Sequence, residues 1–223
     1  MIKLTRSVLP PKVEAKRQAQ EAKLLDCLAK GREVPTSVKN GYKTKDLKTA
    51  LENECFSKCM YCESKFLHVS FGDIEHILPK FKRPELRLAH TNLGLACTRC
   101  NHAKHDYYND SAPLINPFTE EPAQEITAHG PVLMKRPGRI RGGLTIETLK
   151  LNRIQLIEAR LERLKRLESL ADLCIFGPSP LARKIAKDAL QAEVSDDKEY
   201  ALVGRAYLAA VEKQIASATG SQG

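Results

Sequence analysis

Long apolar runs are missing from this sequence. Nothing in its 223 residues approaches the roughly 20 consecutive apolar residues that cross a bilayer. The opening Met1-Ile2-Lys3-Leu4-Thr5-Arg6 leads into prolines rather than an apolar signal core, so neither secretion nor membrane insertion is expected. A disulfide framework is missing too. Of seven cysteines, Cys27, Cys55 and Cys174 sit singly in apparent helices and read as small buried hydrophobes. There is no internal repeat, and the heptad-like stripe near the C-terminus is too short for a coiled coil. The expectation is a cytoplasmic globular chain of one or two domains.

Acidic charge is also scarce. The formal net charge is +9, and residues 1–50 hold twelve Lys/Arg against five Asp/Glu. A basic balance gathered at one end suits a polyanion such as nucleic acid. A solvated basic face or a dock for an acidic protein are the alternatives, and charge alone does not separate them from nucleic acid.

Local signals organise the chain as mainly helical α+β. After Pro10-Pro11, residues 12–30 read as a helix ending at Gly31. Residues 31–43 read as a loop, and Thr44 as the cap of a second helix with Leu47, Leu51 and Cys55 on one face. Residues 65–77, broken by Gly72, predict two strands of a hairpin, and Pro79 and Pro84 force irregular structure after it. A helix is expected over 101–107. Residues 111–144, rich in proline and glycine, predict an extended arm or small sheet, with strands near 125–128 and 132–134. Lys135, Arg136, Arg139 and Arg141 there are either phosphate contacts or solvated charge.

From Thr145 onward the pattern is helical. Asn152 and Gln155 have capping-box spacing, and Ile154, Ile157, Leu161 and Leu164 mark the apolar stripe of a long helix to about Cys174. Gly177–Pro180 break it. Helices follow from Leu181 and from Asp196, and residues 217–223 are expected to fray. The regions expected are a basic helical 1–57, a metal-stapled 58–110, an extended or β arm 111–144 and a helical 145–223.

Chemistry concentrates between Cys59 and Lys104. Two Cys-x-x-Cys pairs, Cys59/Cys62 and Cys97/Cys100, supply the four thiolates of a tetrahedral structural zinc. Such a site has no open position, so zinc here would fold the module and take no part in reaction. Between the pairs stand Glu75 and His76. An imidazole near neutral pH can take a proton from water, and a carboxylate offers a hard oxygen to a magnesium-like cation. Neighbours on a strand point to opposite faces, so the two reach one phosphate only at a strand end or bend.

Glu75-His76, Asn92 and Asn101, the last within Cys97-Thr98-Arg99-Cys100-Asn101 and followed by Lys104, together resemble the HNH endonuclease motif of the zinc-containing, four-cysteine branch. The resemblance implies a ββα-metal fold, a hairpin and a helix around a divalent ion. It implies His76 as general base, Glu75 and Asn101 as ligands of Mg²⁺ or Mn²⁺, and Asn92 as the brace of the loop carrying His76. Glu75 stands where aspartate is commoner, and Asn101 where many members have histidine. Residues 1–11, Lys58–Glu63, Leu114–Pro117, Thr145–Glu147 and Leu151–Arg153 look like the HNH proteins of Septu and retron anti-phage systems. That likeness implies a nuclease effector cleaving DNA, or second to it RNA, beside an ATPase subunit. A zinc-stabilised adaptor without catalysis is the alternative. His102, Lys104 and His105 are candidate phosphate contacts, Lys104 equally a solvated side chain. Tyr107 and Tyr108 read as packing residues.

Overall fold

The computed structural model describes residues 1–220. Among them no helix is long and apolar enough to cross a membrane. Helix α1 (Pro11–Ala29) starts on a proline, whose missing amide costs nothing there, and gives way to Gly31 at φ +60°. The loop that follows contains a single turn, α2 (Thr36–Lys39). Helix α3 (Lys45–Glu54) is capped as its sequence indicates: the Leu47 amide donates to Thr44 Oγ1 at 3.3 Å. Leu47, Leu51 and Cys55 are all buried, and α3 packs against the strand at residues 93–96.

Strand β1 (Asp73–His76) pairs antiparallel with β2 (Leu93–Ala96), setting Glu75 opposite Gly94 and His76 opposite Leu93. The hairpin expected within 65–77 is therefore corrected. Residues 66–70 turn back on themselves through the Phe66 carbonyl, Gly72 adopts φ +66°, and a lone bridge joins Lys65 to Lys58. The partner of β1 is buried along its whole length, and it is that burial rather than nearness in sequence that selects it. Helix α4 (Thr98–Lys104) follows at once and completes a hairpin-plus-helix unit.

A second hairpin, β3 (Ile126–His129) with β4 (Val132–Lys135), turns at Gly130. Helix α5 (Ile140–Thr148) occupies the end of the stretch read as extended. Its Gly142 is required by close approach, because a Cβ there would meet the Glu125 carbonyl oxygen at 2.2 Å. In α6 (Ile154–Phe176) the buried row is Leu156, Arg160, Leu164, Leu167, Ala171 and Cys174. That corrects the expected stripe: Ile154 and Leu161 are 58% and 44% exposed. Asn152 does not cap this helix. It clamps β4 instead, accepting from the Leu133 amide at 2.9 Å and donating to the Leu133 carbonyl at 2.8 Å.

Helix α7 (Pro180–Ala192) is capped by Ser179. Helix α8 (Ala201–Gly220) starts later than expected, because Asp196–Glu199 form turns that grip the cysteine module. It continues through Gly220, whereas fraying was expected from Ser217; residues 221–223 lie outside the described residues. One buried apolar cluster runs from Met1 to Ile215 and includes three of the four paired cysteines.

Candidate active site and metal centre

The two cysteine pairs enter on different elements. Cys59 and Cys62 flank a tight turn in which the Glu63 amide donates to the Cys59 carbonyl at 2.9 Å, with Glu63 at φ 65°. Cys97 caps α4 and Cys100 lies in its first turn. Their four Sγ atoms fall within 4.8 Å of one another, and Cys62 and Cys97 are 3.9 Å apart. A tetrahedral zinc with bonds of about 2.3 Å needs sulfur separations of roughly 3.8 Å. The donor set and spacing fit that ion, and no open ligand position remains.

Four thiolates around a divalent cation leave two excess negative charges. The Arg153 guanidinium answers them, 3.6 Å from Cys100 Sγ and 4.0 Å from Cys97 Sγ. Burial alone would lower the Arg153 pKa, but the cysteines outweigh it and raise it. The sulfur cluster is tied to the hairpin by the Met60 amide, which donates to the Leu95 carbonyl at 2.9 Å. It also needs Gly94 bare: a Cβ there would stand 2.2 Å from Met60 Sδ.

His76 ends β1 and is 6% exposed. Its Nε2 lies 3.0 Å from the Arg87 carbonyl oxygen. A carbonyl only accepts, so Nε2 carries the proton and Nδ1 keeps a lone pair. Tyr42 packs edge-on to the ring with centroids 4.7 Å apart. Burial, reinforced by the charges of Lys80, Arg87 and Lys104, pushes the imidazole pKa down to about 4, so the ring is neutral at pH 7.

Asn92 is buried and spans the loop after His76. Its Oδ1 accepts from the Leu78 amide at 2.8 Å, while Nδ2 donates to the Leu78 and Leu86 carbonyls at 3.0 and 3.3 Å. Glu75 faces α4, and its Oε1 lies 2.6 Å from Lys104 Nζ. The same ammonium, which has three protons to give, also donates to the His76 carbonyl 2.8 Å away, so Lys104 ties the Glu75 carboxylate to the backbone of its neighbour. Burial raises the Glu75 carboxyl above its usual range, and the Lys104 charge offsets only part of this. Asn101 Nδ2 donates to Asp73 Oδ2 at 3.0 Å, leaving its own Oδ1 uncommitted.

The structure thus sets Glu75 and Asp73 against α4 and His76 against Tyr42 and the Arg87 carbonyl. The reading of Lys104 as a phosphate contact is corrected: its side chain is 3% exposed and holds Glu75 and the His76 carbonyl from within. His102 and His105 are exposed on α4 and at its end. Tyr107 and Tyr108 donate to Ala112 O and Asp110 Oδ1. Arg141 is paired with the Glu120 carboxylate, which neutralises its charge, while Arg136 is exposed and gives only its Nε to the Ala123 carbonyl. Three residues at the site escaped the sequence reading: Asp73, Tyr42 and Arg153. Only Asp73 left a usable signal, standing two residues before Glu75, so that strand alternation puts both on one side.

Residues 59–107 match the family model described as HNH endonuclease. The central module is of the HNH type. The chain is also similar to two proteins named Septu protein PtuB. The one from Bacillus thuringiensis is 32% identical over 48% of this chain and 42% of its own length. The one from Bacillus mycoides (strain KBAB4) is 28% identical over 57% of this chain and 54% of its own. The chain therefore spans about half the length of these relatives.

Proposed function

We propose that the chain is a metal-dependent HNH endonuclease that hydrolyses phosphodiester bonds in DNA and serves as the nuclease of a Septu-type anti-phage system beside an ATPase subunit. The observation that carries the catalytic part is the state of His76. It is a neutral ring with its Nε2 proton parked on the Arg87 carbonyl and its Nδ1 lone pair retained, at the end of the strand that bears Glu75. In this reading Nδ1 takes a proton from water as the water oxygen bonds to phosphorus and the bond to the leaving oxygen breaks. Glu75 and Asn101 would hold a magnesium or manganese ion, with Asp73 as a further carboxylate beside Asn101. These are hard oxygen donors suited to such a cation. When bound, the ion supplies Lewis-acid stabilisation of charge on the phosphate. Asn92 keeps the His76 loop in one conformation, and the four cysteines hold zinc as a staple.

The similarity to the two Septu proteins supports the defence role and the ATPase partner. The decisive assay is plasmid cleavage with added Mg²⁺ or Mn²⁺, comparing the parent protein with His76→Ala. Cleavage is expected for the parent and lost, by at least the 10²–10⁴-fold typical of a general base, in His76→Ala. Zinc content and the folded state should be kept, with the melting temperature lowered only by the emptied buried site. Equal cleavage by both proteins would remove His76 from the mechanism, and cleavage by neither would favour a zinc-stabilised adaptor.

A further inference from the structure

Beside the proposed reaction centre the surface opens into a cleft of about 430 Å³. Lys43, Lys45 and Lys48 line it from the start of α3, Lys80 from the loop after β1, and Asp73 and Asn101 from the hairpin–helix unit. Four ammonium groups around one hollow repel each other, and Asp73, already bonded to Asn101, is the sole carboxylate among its lining residues. Among the described residues none of the four lysines forms an ion pair. Lys43 and Lys80 come from opposite walls, yet each ammonium sits 5.9 Å from the ring of Tyr42, which in turn packs on His76. A cluster of unpaired like charges converging beside a buried base is what a polyanion would neutralise.

A second, independent feature stands at the rim. Phe71 is 88% exposed, and the ammonium of Lys48 lies 5.7 Å from its ring. Its neighbour Gly72 lines the cleft at φ +66°, and a Cβ there would strike the Phe66 ring at 2.4 Å. Glycine at that position fixes the turn that presents Phe71. The pattern recurs on the other wall, where Phe81, next after Lys80, is 53% exposed with the Lys82 ammonium 5.6 Å from its ring. Lysines alone would serve any nucleic acid. Exposed aromatic rings beside them are useful to bases whose faces are free, and a duplex hides those faces in its stack. The volume also has the scale of a small-molecule site rather than of a double helix.

We infer that this cleft seats an unpaired polynucleotide strand, with Lys43, Lys45, Lys48 and Lys80 on its phosphates and Phe71 stacked on a base. The inference rests on the nuclease reading for its purpose, because the strand would be led to His76, but its evidence is separate. Stacking on one aromatic residue amounts to roughly 5- to 150-fold in affinity, and each lysine on a phosphate adds to the salt dependence.

The test is fluorescence anisotropy of the full-length, zinc-loaded protein without added magnesium or chelator. The probes are a labelled single-stranded oligodeoxynucleotide and the duplex of the same sequence and length. The strand is expected to bind about tenfold tighter or more. Phe71→Ala should lose at least fivefold for the strand and nothing for the duplex, with Phe71→Tyr restoring the strand. Lys48→Gln and Lys80→Gln should weaken both probes and each flatten the plot of log affinity against log salt by about one unit. Equal affinity for strand and duplex, or a Phe71→Ala protein that binds the strand normally, would overturn the inference. Such a failure alongside intact His76-dependent cleavage leaves the nuclease reading standing. The expected binding pattern without cleavage does the reverse.

Discussion

Asn92 shows how much of the site depends on side chains that touch no substrate. Its buried amide replaces a missing stretch of β-ladder: the oxygen accepts from the Leu78 amide and the nitrogen donates to two carbonyls. Removing it strands a buried amide, a loss of about 1–3 kcal/mol. Asn92→Ala is accordingly expected to unfold at lower urea by that amount and to cleave poorly. Asn92→Asp restores the acceptor for the Leu78 amide and should recover part of both losses. A purely structural role would predict full catalytic turnover per folded molecule, so the readout is cleavage rate normalised to folded protein. At this scale the cysteines were legible because zinc demands four thiolates wherever the backbone goes. Lys104 was not, since its burial depends on Glu75 lying across from it on β1. Arg153 was equally invisible, because only the folded chain brings residue 153 to residues 97 and 100.

Elements were read well where the signal is local and poorly where it is not. The proline start of α1 and the Thr44 cap of α3 depend on neighbours within four residues, and both stand where expected. The partner of β1 lies beyond an irregular loop with two prolines, and nothing within 65–77 pointed to it. The stripe of α6 was misplaced because its buried row contains Arg160, which hydrophobicity counts as surface. Ion pairs between elements were equally hidden. Glu54, at the end of α3, receives Arg6 Nη1 and the amide and hydroxyl of Ser7, each at 2.9 Å, with His90 Nε2 at the same distance. Burial pushes its carboxyl up, but the hydrogen bonds from His90 and Ser7 and the charge of Arg6 hold it below the usual range.

A depressed carboxyl binds its proton more weakly folded than unfolded. Its stabilisation is therefore full above the unfolded value of about 4.3 and is lost as pH falls through the folded one. Glu54→Gln should cost about 3–5 kcal/mol at neutral pH, because Arg6 is left without its partner. The gap between parent and variant should narrow below about pH 4. Urea midpoints across that range check it, and a gap independent of pH would rule out Glu54 as the titrating group. Acid also strips zinc from thiolates, but that loss is common to both proteins and cancels in the difference.

The whole molecule is organised around the four-cysteine cluster in a way the sequence did not disclose. The region from Thr145 onward, which the sequence shows only as helical, is bonded to the turn around Cys59 and Cys62 at several points. Lys58 Nζ donates to the carbonyls of Asp196 and Lys198, and the Lys65 amide donates to Glu199. Ser64 and Tyr200 share a hydroxyl contact of 3.0 Å, and the Leu202 amide donates to Glu63 at 3.3 Å. From the other end of the chain, the ammonium of Met1 pairs with the same Glu63. The four cysteines therefore sit where the chain's first residues, the hairpin and the last helix meet. A structural zinc contributes about 10–16 kcal/mol in isolated fingers, comparable to the whole margin of about 5–15 kcal/mol by which a domain is stable.

Loss of the ion should then unfold more than the module that holds it. Cys59→Ser, or the parent treated with a strong chelator, is expected to lose helical circular dichroism in one transition well below that of the zinc-loaded protein. Helices α6 to α8 should melt together with the centre, and added zinc should raise the parent's midpoint again as mass action requires. Metal analysis finding no zinc in the purified parent would contradict the staple itself. Two separated transitions, with most helical signal surviving chelation, would instead mean that the contacts to Asp196, Glu199, Tyr200 and Leu202 are too weak to couple the C-terminal helices to the metal.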